Sequence, residues 1–299
     1  MTPNDWVTLA TCIAQCAQRG ADAIVVTHGT DTMAYSLAAV SFMLKPISIK
    51  IPIVFTGALI PHGEDYSDAH QNLWDAILFA VSSEFAGVYL VFESQDRRPG
   101  TEGANRAIYW GSRVQSIRPG GRVFDTVDNR PLGRIENGVM KSGKIYWKYP
   151  RKNTGEKNDI QTDTHFDDRV EVLKVYPGFD PKLLDNAANA GIRAIIIDLY
   201  HSGTACTRDD QQEKYSLIPA IKRLRSNNIA VLGAGAPFRA TEQYESTSAL
   251  VRAGLHPLGR MSLEATVVKA MCLLGRNLDG ASLGSSMDKP IYHELYHGD

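Results

Sequence analysis

Apolar positions along this chain change their spacing at regular intervals. Residues 5–19 carry them at helical spacing and close on Gly20, which predicts an amphipathic helix. AIVVT (23–27) is a short continuous apolar run, as in a buried strand. Residues 32–44 return to helix, stopped by Lys45 and Pro46. IPIVFTG (51–57) predicts a second strand. Residues 68–83 predict a helix with apolar positions at Leu73, Ile77, Leu78 and Val81, and GVYLVF (87–92) predicts a third strand. Continuous apolar strands alternating with helices predict a parallel sheet covered on both faces. From 105 to 140 the pattern breaks into short β-prone pieces with turn signals at RPGGR and DNRPLGR.

Residues 141–169 are polar and poor in aliphatics, which marks the linker. Alternation then restarts with a strand at 170–176, a helix at 181–190 and a strand at 193–200. A helix at 213–227, a strand at 229–233 and helices near 245–253 and 262–275 follow. The tail 276–299 shows little pattern, and no repeat or low-complexity tract occurs. The fold class is therefore α/β in two domains. A larger N-terminal domain built on a parallel sheet occupies 1–145, a linker 146–169, and a smaller C-terminal α/β domain 170–299. A length of 299 residues fits that division.

Composition narrows the partners. Thirty-two basic residues balance 33 acidic ones, for a net charge of −1. That balance offers no field to attract nucleic acid or an anionic membrane. Hydrophobic content of 43% with 22% charged residues is that of an ordinary soluble globular protein. The longest apolar runs fall short of the roughly 20 residues of a membrane span. The first six residues have neither the basic nor the apolar region of a signal peptide. Cys12, Cys16, Cys206 and Cys272 are too few and scattered for a disulfide framework, so a cytoplasmic location is expected. Cys12 and Cys16 share a helix face but lack further ligands at zinc spacing, and read as small core residues.

The candidate chemistry lies where the first strand passes into the second helix, at His28-Gly29-Thr30-Asp31-Thr32. Ligands of open parallel sheets bind beyond the carboxyl ends of the strands, and helix starts attract anionic groups. Thr30 offers a hydroxyl as nucleophile, and Asp31 a carboxylate for an ammonium group or for proton transfer. Helix capping is the alternative for any one of these residues. His28 reads as structural. Asp65 and Asp68 either face the site or, for Asp68, cap the next helix. His201 and Ser202 end a strand of the second domain, as a subunit junction or a simple turn. Glu264 complements a helix dipole.

THGTDTMAYSLAAVSFML resembles a signature of the L-asparaginase family, in its bacterial type I cytoplasmic-like branch. IPIVFTGALIPHGEDYSDAHQNLWDAILFA, RPLGRIENG, VEVLKVYPGFDP, AIIIDLYHSGTA and YESTSALVRAGLHPLGRMSLEATVVKAMCLLG resemble later family segments in the same order, from about residue 5 to 275. The resemblance implies a flavodoxin-like N-terminal domain and hydrolysis of the asparagine side-chain amide to aspartate and ammonia through a threonine acyl-enzyme. It implies that Thr30 is the second of the family's two threonines, the one that forms a proton-relay group with the aspartate after it and a distant lysine. Asp31 is its aspartate, which also grips the substrate α-amino group, with Gly29 and Thr30 beside the substrate. It implies a small-molecule substrate, asparagine or glutamine, no cofactor or metal, and a homodimer or homotetramer. In that assembly residues 200–205 and 244–265 bury surface against a second copy.

Two departures bear on activity. The family's first threonine lies in a Thr-Gly-Gly-Thr-Ile type segment, which these 299 residues do not contain. The start at MTPNDW resembles a point past that motif, as in a fragment or a shortened gene. The relay lysine ends an Arg-Gly-Asn-Arg-x-x-Lys-like segment; the matching YWGSRVQS puts Ser116 there, and neighbouring Arg113 and Arg118 stay charged and cannot act as bases. Poor or absent turnover with weak aspartate binding is therefore expected. A non-catalytic amino-acid-binding or partner-binding descendant is one alternative. A glutaminase-type subunit of a tRNA amidotransferase, which usually carries an extra N-terminal β domain, is another.

Overall fold

The computed structural model describes residues 1–93, 105–117, 123–142, 159–210, 213–234 and 244–295. Two compact units divide the chain. The first comprises Met1–Thr164 and Ile291–His293; the second comprises His165–Pro290 and Glu294–Asp299. Most of the polar stretch around residue 150, the RPGGR turn and Arg118 lie outside the described residues.

The first unit runs α1 (Pro3–Gln18), β1 (Ile24–Thr27), α2 (Met33–Met43), β2 (Pro52–Thr56), α3 (Ala69–Ser82), β3 (Gly87–Glu93) and β4 (Arg106–Trp110). β5 (Val114–Ser116), β6 (Phe124–Thr126), β7 (Gly133–Glu136) and β8 (Val139–Ser142) follow. Six strands form one sheet in the order β1-β2-β3-β4-β7-β8, while β5 and β6 pair separately. β1, β2 and β3 are parallel, as their apolar runs predict, but β1 is the edge strand and only half-buried, not the buried strand its apolar run predicts. Beyond β3 the sheet is mixed: β4, β7 and β8 run antiparallel to their neighbours. The cause is local. Asn137 and Gly138, both at positive φ, make the tight turn that joins β7 to β8 without a crossover helix.

Two helices turn faces other than those their apolar residues predict. In α3 the buried side is Asn72, Asp75, Ala76, Phe79 and Ala80. Leu73, Trp74, Ile77 and Val81 face outward, with Trp74 64% and Val81 73% exposed. The polar positions 68, 72 and 75 recur at helical spacing, and a buried network claims that face. Arg106 Nε donates to Asn72 Oδ1 at 3.2 Å and lies 3.5 Å from Asp75 Oδ2. Burial pushes the Asp75 carboxyl up from the usual carboxylate range. In α1 the core arc is Trp6, Ala10, Ile13, Ala14 and Ala17. Cys12 and Cys16 lie outside that arc and are exposed, not core residues.

The second unit carries β9 (Val170–Lys174), α4 (Leu183–Asn189), β10 (Ala194–Asp198), α5 (Leu217–Ser226) and β11 (Ala230–Ala234). α6 (Glu245–Ala253), β12 (His256–Pro257), α7 (Leu263–Gly275) and α8 (Gly280–Met287) complete it. Its sheet is parallel throughout, in the order β12-β11-β10-β9. Ile195, Ile197 and Val231 pack with Leu184 of α4, Ile221 of α5 and Leu250 of α6. Alternation sends Ile196 to the other face, where α7 packs on β9 and β10. The tail, unpatterned in sequence, forms α8 and is held by a buried cation. Lys269, fully buried in α7, donates to the carbonyls of Met287 and Lys289 at 2.7 Å each and to Glu294. No helix among the described residues is long and apolar enough to cross a membrane.

Candidate functional site

β1 ends at Thr27, but its pairing with β2 continues one residue further, because His28 N donates to Thr56 O at 2.9 Å. Gly29 then turns the chain into a 3-10 turn, Thr30–Thr32, that runs into α2. Thr30 is half-buried and Asp31 exposed. No side-chain hydrogen bond caps either the 3-10 turn or α2. The cap positions are Gly29 and Thr32, so neither Thr30 nor Asp31 is a cap residue.

A cleft of about 610 Å³ opens at the carboxyl ends of β1 and β2, with Thr27, His28, Gly29, His62 and His70 among its lining residues. Along the β1 loop its wall ends at Gly29, and neither Thr30 nor Asp31 is among its lining residues. The His28 Nδ1 lies 2.6 Å from Gly29 O, which fits the tautomer that donates from Nδ1. Its Nε2 is buried with no hydrogen-bond partner among the described residues. The rings of His62 and His70 meet edge to face at 4.7 Å.

The loop after β2 is built by residues to which the sequence pattern assigns other roles. Asp68 sits at the cap position of α3, yet its side chain makes no capping bond. The buried carboxylate instead accepts from Leu59 N at 3.0 Å and Ile60 N at 2.9 Å, and from Asn72 Nδ2 at 2.8 Å. Asn72 Nδ2 also donates to Gly57 O at 2.9 Å. Asp68 therefore fixes the loop that walls the cleft, while Asp65 is exposed. Asn72 and Arg106, which no sequence motif singles out, complete the support.

Gly57 joins β2 to this loop, and a Cβ there would lie 2.2 Å from His28 O and 2.8 Å from Met33 Cε. Backbone carbonyls cannot yield that far. Gly57→Ala is expected to cost about 1–3 kcal/mol in urea unfolding and to displace His28 and Gly29. Unchanged stability would show that the two strand ends are not packed this closely.

Other candidates separate from this region. Ser116 is exposed at the end of β5, and α2 packs against that strand. Arg113 Nε donates to His293 O. His201 and Ser202 lie in a turn closed by Gly203 N on Tyr200 O at 2.7 Å and tied to α6 by Thr247 Oγ1 on Gly203 O at 3.0 Å. Glu264 is in the first turn of α7, where Ser262 caps Ala265 N at 3.1 Å. A second cleft, about 490 Å³, in the second unit includes Tyr176, Phe179, Tyr200, Cys206 and Arg208 in its lining. Among the described residues no group of three or more His, Cys, Asp or Glu side chains could hold a metal ion.

Known proteins match both units. Residues 1–149 match the family model described as Asparaginase, N-terminal, and 169–287 the Glutaminase/Asparaginase C-terminal domain. A glutamyl-tRNA(Gln) amidotransferase subunit of Methanosphaera stadtmanae is 32% identical over 234 residues, which are 78% of this chain and 49% of that protein. The chain thus spans about half the length of that relative. The L-asparaginase of Thermococcus kodakarensis is 28% identical over 297 residues, covering 98% of this chain and 81% of that one. The solved structure titled as the thermostable L-asparaginase from Thermococcus kodakarensis superposes with a TM-score of 0.82 at 27% identity. The match covers 100% of this chain and 83% of that one.

Proposed function

The chain belongs to the asparaginase family, and from that premise we propose that it is an amidohydrolase for a small amino-acid amide, asparagine first, with Thr30 as nucleophile in place of the family's first threonine, whose segment these residues do not contain, and Asp31 as the anchor of the substrate's ammonium group. The observation that carries the reading is the placement of Thr30 and Asp31 in the turn at the carboxyl end of β1, directly after Gly29 of the cleft wall. In this reaction the Thr30 hydroxyl oxygen attacks the amide carbon. The hydroxyl proton passes to the departing nitrogen, the C–N bond breaks and ammonia leaves. Water then cleaves the ester, releasing the carboxylate and restoring Thr30. Asp31 holds the substrate without being consumed.

The test of the site is binding, because binding needs fewer parts than turnover. Calorimetry should detect aspartate on the wild-type chain and none on Asp31→Ala, with both folded by circular dichroism. Equal affinity in the two would remove Asp31 from the site. Self-association belongs to the same reading, through 200–205 and 244–265, and a strict monomer by light scattering at micromolar concentration would remove that part.

A second reading is favoured by the names of several relatives, which are glutamyl-tRNA(Gln) amidotransferase subunits. Here the same threonine chemistry would act on glutamine and pass ammonia to a partner protein. Ammonia release from glutamine exceeding that from asparagine would favour it over the asparaginase reading.

A further inference from the structure

The C-terminal segment returns to the first unit for three residues, Ile291–His293. Its grip there is dense. Tyr292 O accepts two hydrogen bonds, from Trp110 Nε1 at 3.2 Å and from Ser112 Oγ at 2.6 Å. His293 O accepts from Arg113 Nε. The Tyr292 ring tilts against Trp110 with centroids 5.3 Å apart, and the His293 ring stands edge-on to Trp110 at 4.8 Å. Thus three of four consecutive residues, 110, 112 and 113, hold two carbonyls of the tail, about 180 positions away in sequence.

The surrounding backbone is shaped for this contact. Gly87, at φ +148°, opens β3, and a Cβ there would lie 2.9 Å from the Trp110 ring and 3.0 Å from Tyr292 Oη. Only glycine leaves room for both rings and adopts that φ readily. Gly111 is tightly packed as well, against different neighbours. A Cβ there would stand 3.0 Å from Val88 O and 3.1 Å from Leu37 Cδ2. The 3-10 turn Gly111–Arg113 is therefore pressed onto β3 and onto Leu37 of α2, and it continues without a break into β5, which ends at Ser116. α2 packs against both the turn and β5, and α2 begins directly after Thr30–Thr32.

We propose that Tyr292 and His293 are positioning residues for the site: the tail segment 291–293 clamps Trp110, Ser112 and Arg113, and through that turn fixes β5 and the start of α2, where Thr30 and Asp31 stand. The positioning role rests on the site reading given above. A merely structural contact would stabilise the unit as a whole. A clamp acts locally, on one turn, one strand and one helix start.

Two variants and two measurements separate these cases. Tyr292→Ala removes the ring; Tyr292→Phe keeps it. Hydrogen exchange is followed at residues 111–116 and 33–37, with α3 of the same unit as reference, and aspartate affinity is measured by calorimetry. In Tyr292→Ala exchange at 111–116 and 33–37 should rise at least about tenfold with α3 unchanged, and aspartate affinity should fall about tenfold. Tyr292→Phe should match wild type in both. Should Tyr292→Ala fail to fold, Ser112→Ala, which loses one bond to Tyr292 O, should give the same local pattern at roughly threefold amplitude. Unchanged exchange at 111–116, or an equal rise in α3, would overturn the proposal. So would aspartate affinity untouched by a locally loosened turn. If the wild-type chain binds no aspartate, the site reading fails on its own, and exchange alone still decides whether the tail clamps the turn.

Discussion

Lys269→Ala is expected to destabilise the second unit by about 3–5 kcal/mol, because it leaves the Glu294 carboxylate buried without its cation. Both side chains are fully buried, and the ammonium also satisfies the carbonyls of Met287 and Lys289. Burial pushes the Lys269 ammonium down from the ordinary lysine range, and the Glu294 carboxylate opposes that shift. The pair is weak evidence of net stability in itself, since an apolar pair of similar volume often does as well. The expected result for Lys269→Met with Glu294→Leu is therefore recovery of part of the loss, the carbonyls of Met287 and Lys289 still lacking their donor. Urea unfolding of the three proteins decides it. A single variant within about 0.5 kcal/mol of wild type would mean that water reaches Glu294 and replaces the lost cation. Because 287, 289 and 294 are the residues held, the loss should first appear as faster exchange after α8.

Nothing local in the sequence announces this lysine. It sits in LEATVVKAMCLLG as one cation in a mostly apolar helix, and its partners lie 18 to 25 positions away in a stretch without periodicity. The same limit hides the clamp on Trp110 and Ser112, whose acceptors are about 180 positions distant. β2 and β3 were legible because they are short, apolar and bounded by turn residues, and burial on both faces demands that pattern; β1 carries the same apolar run yet stands half-buried at the sheet edge. The HGTDT junction was legible because the period changes there from strand to helix. The face of α3 was not: the helix buries Asn72 and Asp75 in a network with Arg106, so its apolar residues Leu73 and Val81 point outward. Asp68 misled in a related way. An aspartate before a helix reads as a cap, and only the fold of the preceding loop reveals that its carboxylate holds Leu59 and Ile60.

Hydrolysis of asparagine by these 299 residues is expected to be slow, well under the roughly 1 per second of an ordinary enzyme. Nucleophilic catalysis requires an activated hydroxyl, a base and stabilisation of the oxyanion together. In the proposed reaction Thr30 supplies the hydroxyl and Asp31 the anchor, while the segment that carries the family's first threonine is not among these residues. The position that the family resemblance gives to the relay lysine holds Ser116, exposed at the end of β5, and a serine cannot take up the proton that Thr30 must lose. Arg113, three residues earlier, carries a guanidinium that stays cationic, and its Nε is already bonded to His293 O. Groups that act as a unit fail together, so the missing base alone forfeits most of the rate. Restoring it should be visible. Ser116→Lys is expected to raise ammonia release at least about tenfold, at the low end of what a positioned base contributes. The added rate should vanish in Ser116→Lys with Thr30→Ala. Wild-type turnover of roughly 1 per second or faster that is lost in Thr30→Ala would overturn the expectation. It would mean that another group beside Thr30 already serves as base, and His28, whose Nε2 is buried and has no hydrogen-bond partner among the described residues, would be the first side chain to replace.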